Sequence, residues 1–295
     1  MSVTSNPTPD GEQMPDTSGL PDLSGVGAEA SAPEGIPERD VMAPWGEAGP
    51  PGPQWRTDIL GEGYESRTIE LIDDAEGPCV ATLVRARPPA SARMTVLYLH
   101  GRNDYFFQTE MAQRLSDAGA AFYALDMRKY GRSLRPHQTI GYTDDLSVYD
   151  EEIGEAIEII RSEREDEPIV LPDDPSVAGW PIIHEWKRPE SYPIPASWLE
   201  AIMAGHETIE KDVHLECPVL SMVSTSSYFD EEWSERVFTS DTVLDPTVIA
   251  QRSLGLSDLV TIARFPGKHD LALSDAPVRE AVYATMRGWL DAFVR

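Results

Sequence analysis

Residues Met94 to Leu99 (MTVLYL) form a short, almost wholly apolar run that stops at His100-Gly101 and a polar turn, Arg102-Asn103-Asp104. A run of this length without polar alternation is expected of a strand covered on both faces. Such a strand belongs inside a parallel sheet, so helices must flank it on either side. The remainder of the chain has to supply them.

It does so in alternation. Tyr64 to Ile72 and Cys79 to Ala86 read as two adjoining strands that form an antiparallel edge. Thr109 to Ala118 places Met111, Leu115 and Ala118 at helical spacing, and Ala121 to Leu125 is another buried strand. From Leu146, the apolar positions Tyr149, Ile153, Ala156, Ile157 and Ile160 recur on one helical face. Pro168-Ile169-Val170-Leu171 is a short strand. After a proline-rich, aperiodic stretch, Ser197 to Val213 reads as a helix and Pro218 to Val223 as a strand. Asp245 to Leu254 reads as a helix with Pro246 in its first turn, and Val260 to Phe265 as a strand. Val278 to Val294 closes the chain as an amphipathic helix. The fold class is α/β, a mostly parallel sheet flanked by helices.

Residues 1 to 54 stand apart. They carry nine carboxylates against the single base Arg39, which is −8 of the chain's net −27, and have no periodic apolar pattern. Such a segment cannot bury enough apolar surface to offset its ordering entropy and is expected to be a disordered acidic tail. Pro50-Pro51-Gly52-Pro53 marks its boundary with a domain over 55–295. The overall acidity makes nucleic acid and anionic membrane surfaces poor partners. No basic and apolar leader opens the chain and no stretch is long and apolar enough to span a bilayer, so a cytoplasmic protein is expected. Cys79 and Cys217 do not make a disulfide framework and are expected to be buried structural thiols.

Four segments then resemble the α/β-hydrolases, in particular the serine aminopeptidase and monoacylglycerol lipase (lysophospholipase)-like branch. LYLHGRNDYFF (Leu97 to Phe107) resembles the strand that ends in the oxyanion turn. ALDMRKYGRS (Ala124 to Ser133) resembles the next strand and its turn, in which Ser133 is a turn residue and Asp126 and Arg128 tie the turn together. SDTVLDP (Ser240 to Pro246) resembles the acid loop, and FPGKHDLAL (Phe265 to Leu273) the histidine loop. The resemblance implies His269 as general base and Asp241 as its carboxylate, in the order expected of the fold. Asp245 competes with Asp241 and equally suits the N-cap of the following helix. His100, Gly101 and Arg102 are the implied oxyanion-hole residues, with the Arg102 N–H as donor. Tyr105, Phe106 and Phe107 are candidates for an acyl-pocket wall or for core, and Trp180, Trp186 and Trp198 for the entrance. No cofactor and no metal are implied.

The chain departs from the pattern where the nucleophile belongs. The fold carries its serine on a G-x-S-x-G turn after the fifth strand. Here that strand leads into Pro172-Asp173-Asp174-Pro175, and no G-x-S-x-G occurs anywhere. Pro172 also lacks the N–H that would serve as a second oxyanion donor. The resemblance implies that one β-α unit and part of the cap are missing, on the order of sixty residues, with 172–196 as the cap remnant and Ile183 to Lys187 resembling the later cap. Strand five and the Pro218 strand are still expected to form a crossover around the loss. Losing one core-facing helix removes burial of order 10 kcal/mol gross, against a total stability of about 5–15 kcal/mol, so folding is expected to be marginal.

Three functions follow as expectations. The resemblance implies a serine ester hydrolase acting on small acyl esters, inactive in this chain for want of the elbow. The alternatives are a non-catalytic binding pseudoenzyme or truncated gene product, and a peptidase whose only suggestive feature is Asp230-Glu231-Glu232. Oligomeric state is not legible.

Overall fold

The structure, a computed structural model, describes residues 49–87, 92–164, 182–183, 185–188, 191–230 and 232–294, and the backbone of 168–172. The expected tail therefore lies outside the described residues up to position 48, as do Trp180, His184 and Glu231. The described chain begins already attached to the domain. Gly49 O accepts from Thr68 Oγ1, and the Gly52 N–H donates to Thr68 O.

Six strands make the main sheet: β1 (Arg56–Thr57), β2 (Tyr64–Asp74), β3 (Gly77–Ala86), β4 (Met94–Leu99), β5 (Ala120–Asp126) and β6 (Pro168–Pro172), in the order β1-β2-β3-β5-β4-β6. The β1-β2, β2-β3 and β3-β5 pairs are antiparallel, and β5-β4 and β4-β6 are parallel. The period of two in each strand divides the core in two. On β4, Met94, Val96 and Tyr98 face one layer and Leu97 the other. On β5, Ala120, Phe122 and Ala124 face the first, and Ala121, Tyr123 and Leu125 the second. The first layer is closed by helix α1 (Thr109–Asp117) and by α5 (Ala276–Phe293), the second by α2 (Tyr149–Glu163). Tyr105, Phe106 and Phe107 are at most 1% exposed and are core, which decides against a pocket wall.

The expected crossover from strand five to the Pro218 strand does not form. Strand β7 (Val219–Ser224) pairs in parallel with β8 (Val260–Phe265) in a separate two-stranded sheet. Among the described residues, β6 pairs only with β4, and β7 only with β8. The connection between them holds α3 (Ala196–Asp212), which buries only Ala201 and leaves Leu199, Met203 and Ile209 about half exposed. The reason is geometric. A parallel neighbour needs a crossover element packed across the sheet, and α3 buries too little apolar surface to serve as one. Cys79 is buried as expected, but Cys217 is exposed, because it precedes β7 in a loop that no layer covers. No described helix is long and apolar enough to cross a membrane.

Candidate active site

The loops that follow β7 and β8 meet each other. Ser224, the last residue of β7, donates from Oγ to Gly267 O at 2.8 Å and to Ser226 O at 3.0 Å. The acid loop is held in register by Tyr228 N–H to Asp241 O and Asp241 N–H to Ser226 O, both 2.8 Å. This frame places His269 Nδ1 2.5 Å from Asp241 Oδ2, with both side chains at most 6% exposed. Asp241 Oδ1 accepts from the N–H groups of Val243 and Leu244 at 2.8 and 2.7 Å. Burial works to raise the Asp241 carboxyl, but the His269 contact and these two amides hold it below the ordinary aspartate value. A carboxylate fixed in this way fixes one tautomer of the histidine, with its proton on Nδ1 and its other nitrogen left as a base. Asp245 takes no part. Its carboxylate accepts from Thr247 N–H at 2.8 Å as the N-cap of helix α4 (Pro246–Ser253).

The turn after β4 is built just as firmly. His100 Nε2 accepts from Met127 N–H at 3.0 Å, and Nδ1 lies 2.8 Å from Gly101 O. A proton on Nδ1 satisfies both contacts, and His100 thereby ties the ends of β4 and β5 together. The Arg102 backbone N–H meets no acceptor among the described residues. Its side chain points away from the turn, donating to Tyr192 O and Pro193 O and lying 4.1 Å over the Tyr192 ring and 4.8 Å over Trp198. Asn103, at φ 57°, exchanges two hydrogen bonds with the Arg188 backbone, and buried Asp104 takes Lys187 Nζ at 2.9 Å. The segment after the proline-rich stretch is thereby clamped to the turn. Trp186 packs on Tyr105 and is buried, while Trp198 and Trp186 both line a cavity of about 560 Å³ beside Arg102.

The turn after β5 differs from expectation in its hub. Asp126 accepts from Phe106 N–H, Arg132 N–H and Arg132 Nη1, and Arg132 also grips Asp58 through Nε and Nη2 at 2.8 and 2.7 Å. Arg128 instead leaves the turn for Glu152 and Glu151 on α2. Gly131, at φ 45°, makes the hub possible, since a Cβ there would stand 2.4 Å from Asp126 Oδ2 and from Tyr105 Cβ. Ser133 Oγ donates to Asp126 O at 2.6 Å, as a turn residue should.

The structure thus assembles the Asp241–His269 pair at the ends of β7 and β8, and the His100–Arg102 turn at the end of β4. The two belong to different sheets. Ser224 and Arg132 escaped sequence reasoning: Ser224 closes an apolar strand, and Arg132 is one of four cations within eight residues. Asp230 and Glu232 lie on the surface beside exposed Trp233 and hold no partner cation among the described residues. Among the described residues no cluster is suited to a metal ion.

No family model matches the chain, and no curated protein sequence is significantly similar to it. Solved structures are similar in fold. A soluble variant of monoglyceride lipase from Saccharomyces cerevisiae is 14% identical, with 78% of this chain and 97% of that one covered at a TM-score of 0.49. Alpha/beta hydrolase domain-containing protein 10 from mouse is 10% identical, with 76% and 98% covered at 0.50. The fold, with strands alternating with helices and the loops after β4, β7 and β8 in this order, is an α/β-hydrolase fold shortened by one β-α unit.

Proposed function

We propose that this chain is a non-catalytic member of the ester-hydrolase side of the α/β-hydrolase fold, keeping the acid–base pair of acyl transfer without its nucleophile. The observation that carries the reading is the end of β6. The strand that should present a serine on a G-x-S-x-G turn stops at Pro172, and it pairs with nothing on its far side among the described residues. Without a serine on that turn, the His269–Asp241 pair lacks the nucleophile the fold would place beside it, and the Arg102 N–H lacks the second oxyanion donor that the turn would supply. The yeast neighbour is described as a monoglyceride lipase in complex with a substrate analogue, which favours a small acyl ester as the ancestral ligand.

A second reading rests on the quality of the pair itself. A 2.5 Å, buried, doubly amide-supported Asp–His contact is the geometry a working base requires. Under that reading an unconventional hydroxyl supplies the nucleophile, and Ser176 is the one candidate by sequence between Pro172 and Ile182. The purified chain is incubated with a fluorophosphonate probe and with a short-chain nitrophenyl ester. The expected result is no stoichiometric adduct, and ester turnover that is the same for the unmodified chain and for His269→Ala. A one-to-one mass adduct, abolished by Ser176→Ala and accompanied by His269-dependent turnover, overturns the non-catalytic reading.

A further inference from the structure

Arg135 is a buried cation without a counter-charge. The residue is 3% exposed, and no carboxylate of the described residues contacts its guanidinium. Nη1 donates to the carbonyl oxygens of Arg132 and Leu134 at 2.9 and 3.1 Å, while Nε and Nη2 find no partner. Every other deeply buried cation in the described chain is paired: Arg132 with Asp58 and Asp126, Arg128 with Glu152, Lys129 with Asp74 and Glu76, Lys187 with Asp104. Burial alone pushes the Arg135 guanidinium down to about 10, so it remains charged at neutral pH. An uncompensated buried charge is among the costliest arrangements a fold can carry, and a bound anion removes the cost.

Arg135 lines the 560 Å³ cavity, whose wall among the described residues holds Arg102, Arg132, Arg135 and Arg188 against one carboxylate, Glu185. Arg132 is neutralised by its two aspartates, and neither Arg102 nor Arg188 touches a carboxylate among the described residues. In a chain of net charge −27 this is a local reversal of sign. Tyr192 and Trp198 supply aromatic faces, and the volume falls in the range of small-ligand sites. We propose that this cavity binds a small organic oxyanion, a carboxylate or a phosphate ester on an apolar or aromatic body, with its charged group against the wall formed by Arg135, Arg102 and Arg188. The planar fork of arginine recognises either group by paired N–H donors. The site uses neither His269 nor a nucleophile, so it stands whether or not the chain turns over esters.

Calorimetric titration of the full chain in Tris chloride tests it with phenyl phosphate, benzoate, inorganic phosphate and the neutral control benzyl alcohol. The expected result is one-to-one binding of phenyl phosphate or benzoate, at least about tenfold tighter than benzyl alcohol. Inorganic phosphate binding as tightly as phenyl phosphate assigns the site to the free ion and overturns the organic ligand. Arg135→Met is expected to weaken anion binding at least about tenfold and Arg135→Lys by less, while His269→Ala leaves it unchanged. Equal affinity in Arg135→Met, or no binding of either organic anion at millimolar concentration, overturns the proposal. Should Arg135→Met fail to fold, hydrogen exchange of the unmodified chain decides. Saturating phenyl phosphate must then slow the amides of 134–142, and their unchanged exchange overturns the site.

Discussion

Replacing Arg132 by methionine tests how much of the domain hangs on one buried charge. Arg132 is fully buried and joins three pieces of chain: Asp58 after β1, Asp126 at the end of β5, and the Phe106 carbonyl before α1. Methionine fills much of the volume of the arginine stem but strands two carboxylates that are at most 1% exposed. Breaking a single buried pair costs about 3–5 kcal/mol because the partner charge is left unpaired. With two partners abandoned, the loss at pH 7 is expected at about the top of that range, a fall in urea midpoint of roughly 2–5 M. The pH dependence isolates the charge from the packing. In the unmodified chain, burial works to raise the Asp58 carboxyl, but Arg132 and the Leu60 amide hold it below the ordinary value. A depressed carboxyl contributes stability above its unfolded pKa, lost as pH falls through the folded one. In the variant only burial and the lesser hydrogen bonds remain, the carboxyl rises, and its penalty is relieved on acidification. Urea unfolding at pH 7 and pH 4.5 should therefore show a deficit that shrinks in acid. A deficit below about 1 kcal/mol at pH 7, or one equal at both pH values, refutes the reasoning.

Other outcomes follow from single contacts. Asp245→Ala removes the side-chain cap of α4 and should cost about 1 kcal/mol in urea unfolding without disturbing the Asp241–His269 pair. A thiol reagent should titrate one cysteine of the native chain, exposed Cys217, and two after unfolding, since Cys79 is 1% exposed and burial pushes its thiol up. Two fast equivalents in the native state would mean that β3 opens readily.

The strands and helices were legible because each lies on an apolar period that packing then used. Met94, Val96 and Tyr98 alternate with Leu97 between the two core layers, as a strand covered on both faces must. The choice of Asp241 over Asp245 rested on the resemblance, because by its residues alone an acid beside a proline reads equally as a cap and as a partner for histidine. Only the loop bonds from Ser226 to Asp241 separate them. Arg128 and Arg132 were likewise exchanged. The intervening turn passes through positive φ at Lys129 and Gly131, which swings Arg128 toward α2 and sends Arg132 inward, and no period in the sequence encodes that reversal. The split of the sheet was hidden for a deeper reason. Which strand pairs with which is set by what packs across them, and α3 has its apolar residues but no layer to bury them in.

The same split explains how a shortened α/β-hydrolase fold keeps its acid and base loops in order. With no strand joining β6 to β7 among the described residues, the β7-β8 pair needs another anchor, and α5 provides it. Val282, Tyr283, Met286 and Leu290 of α5 are buried in the layer that holds Val96, Tyr98 and Phe122, and Met222 of β7 and Ala263 of β8 pack on that layer. Trp289 Nε1 donates to Thr261 Oγ1 of β8 at 3.1 Å, and Arg279 and Glu280 of α5 pair with Glu110 and Arg114 of α1. Each buried apolar side chain contributes about 1.5–3 kcal/mol, so one helix face replaces much of the pairing energy of an absent strand. Packing, however, is less directional than a hydrogen-bonded ladder. It can hold the two sheets together without fixing their relative register to the sub-ångström tolerance that acyl transfer demands. The Asp241–His269 contact is itself held within the loops after β7 and β8, by bonds from Ser224, the Ser226–Asp241 backbone and the Val243 and Leu244 amides, so it is expected to tolerate small shifts between the two sheets.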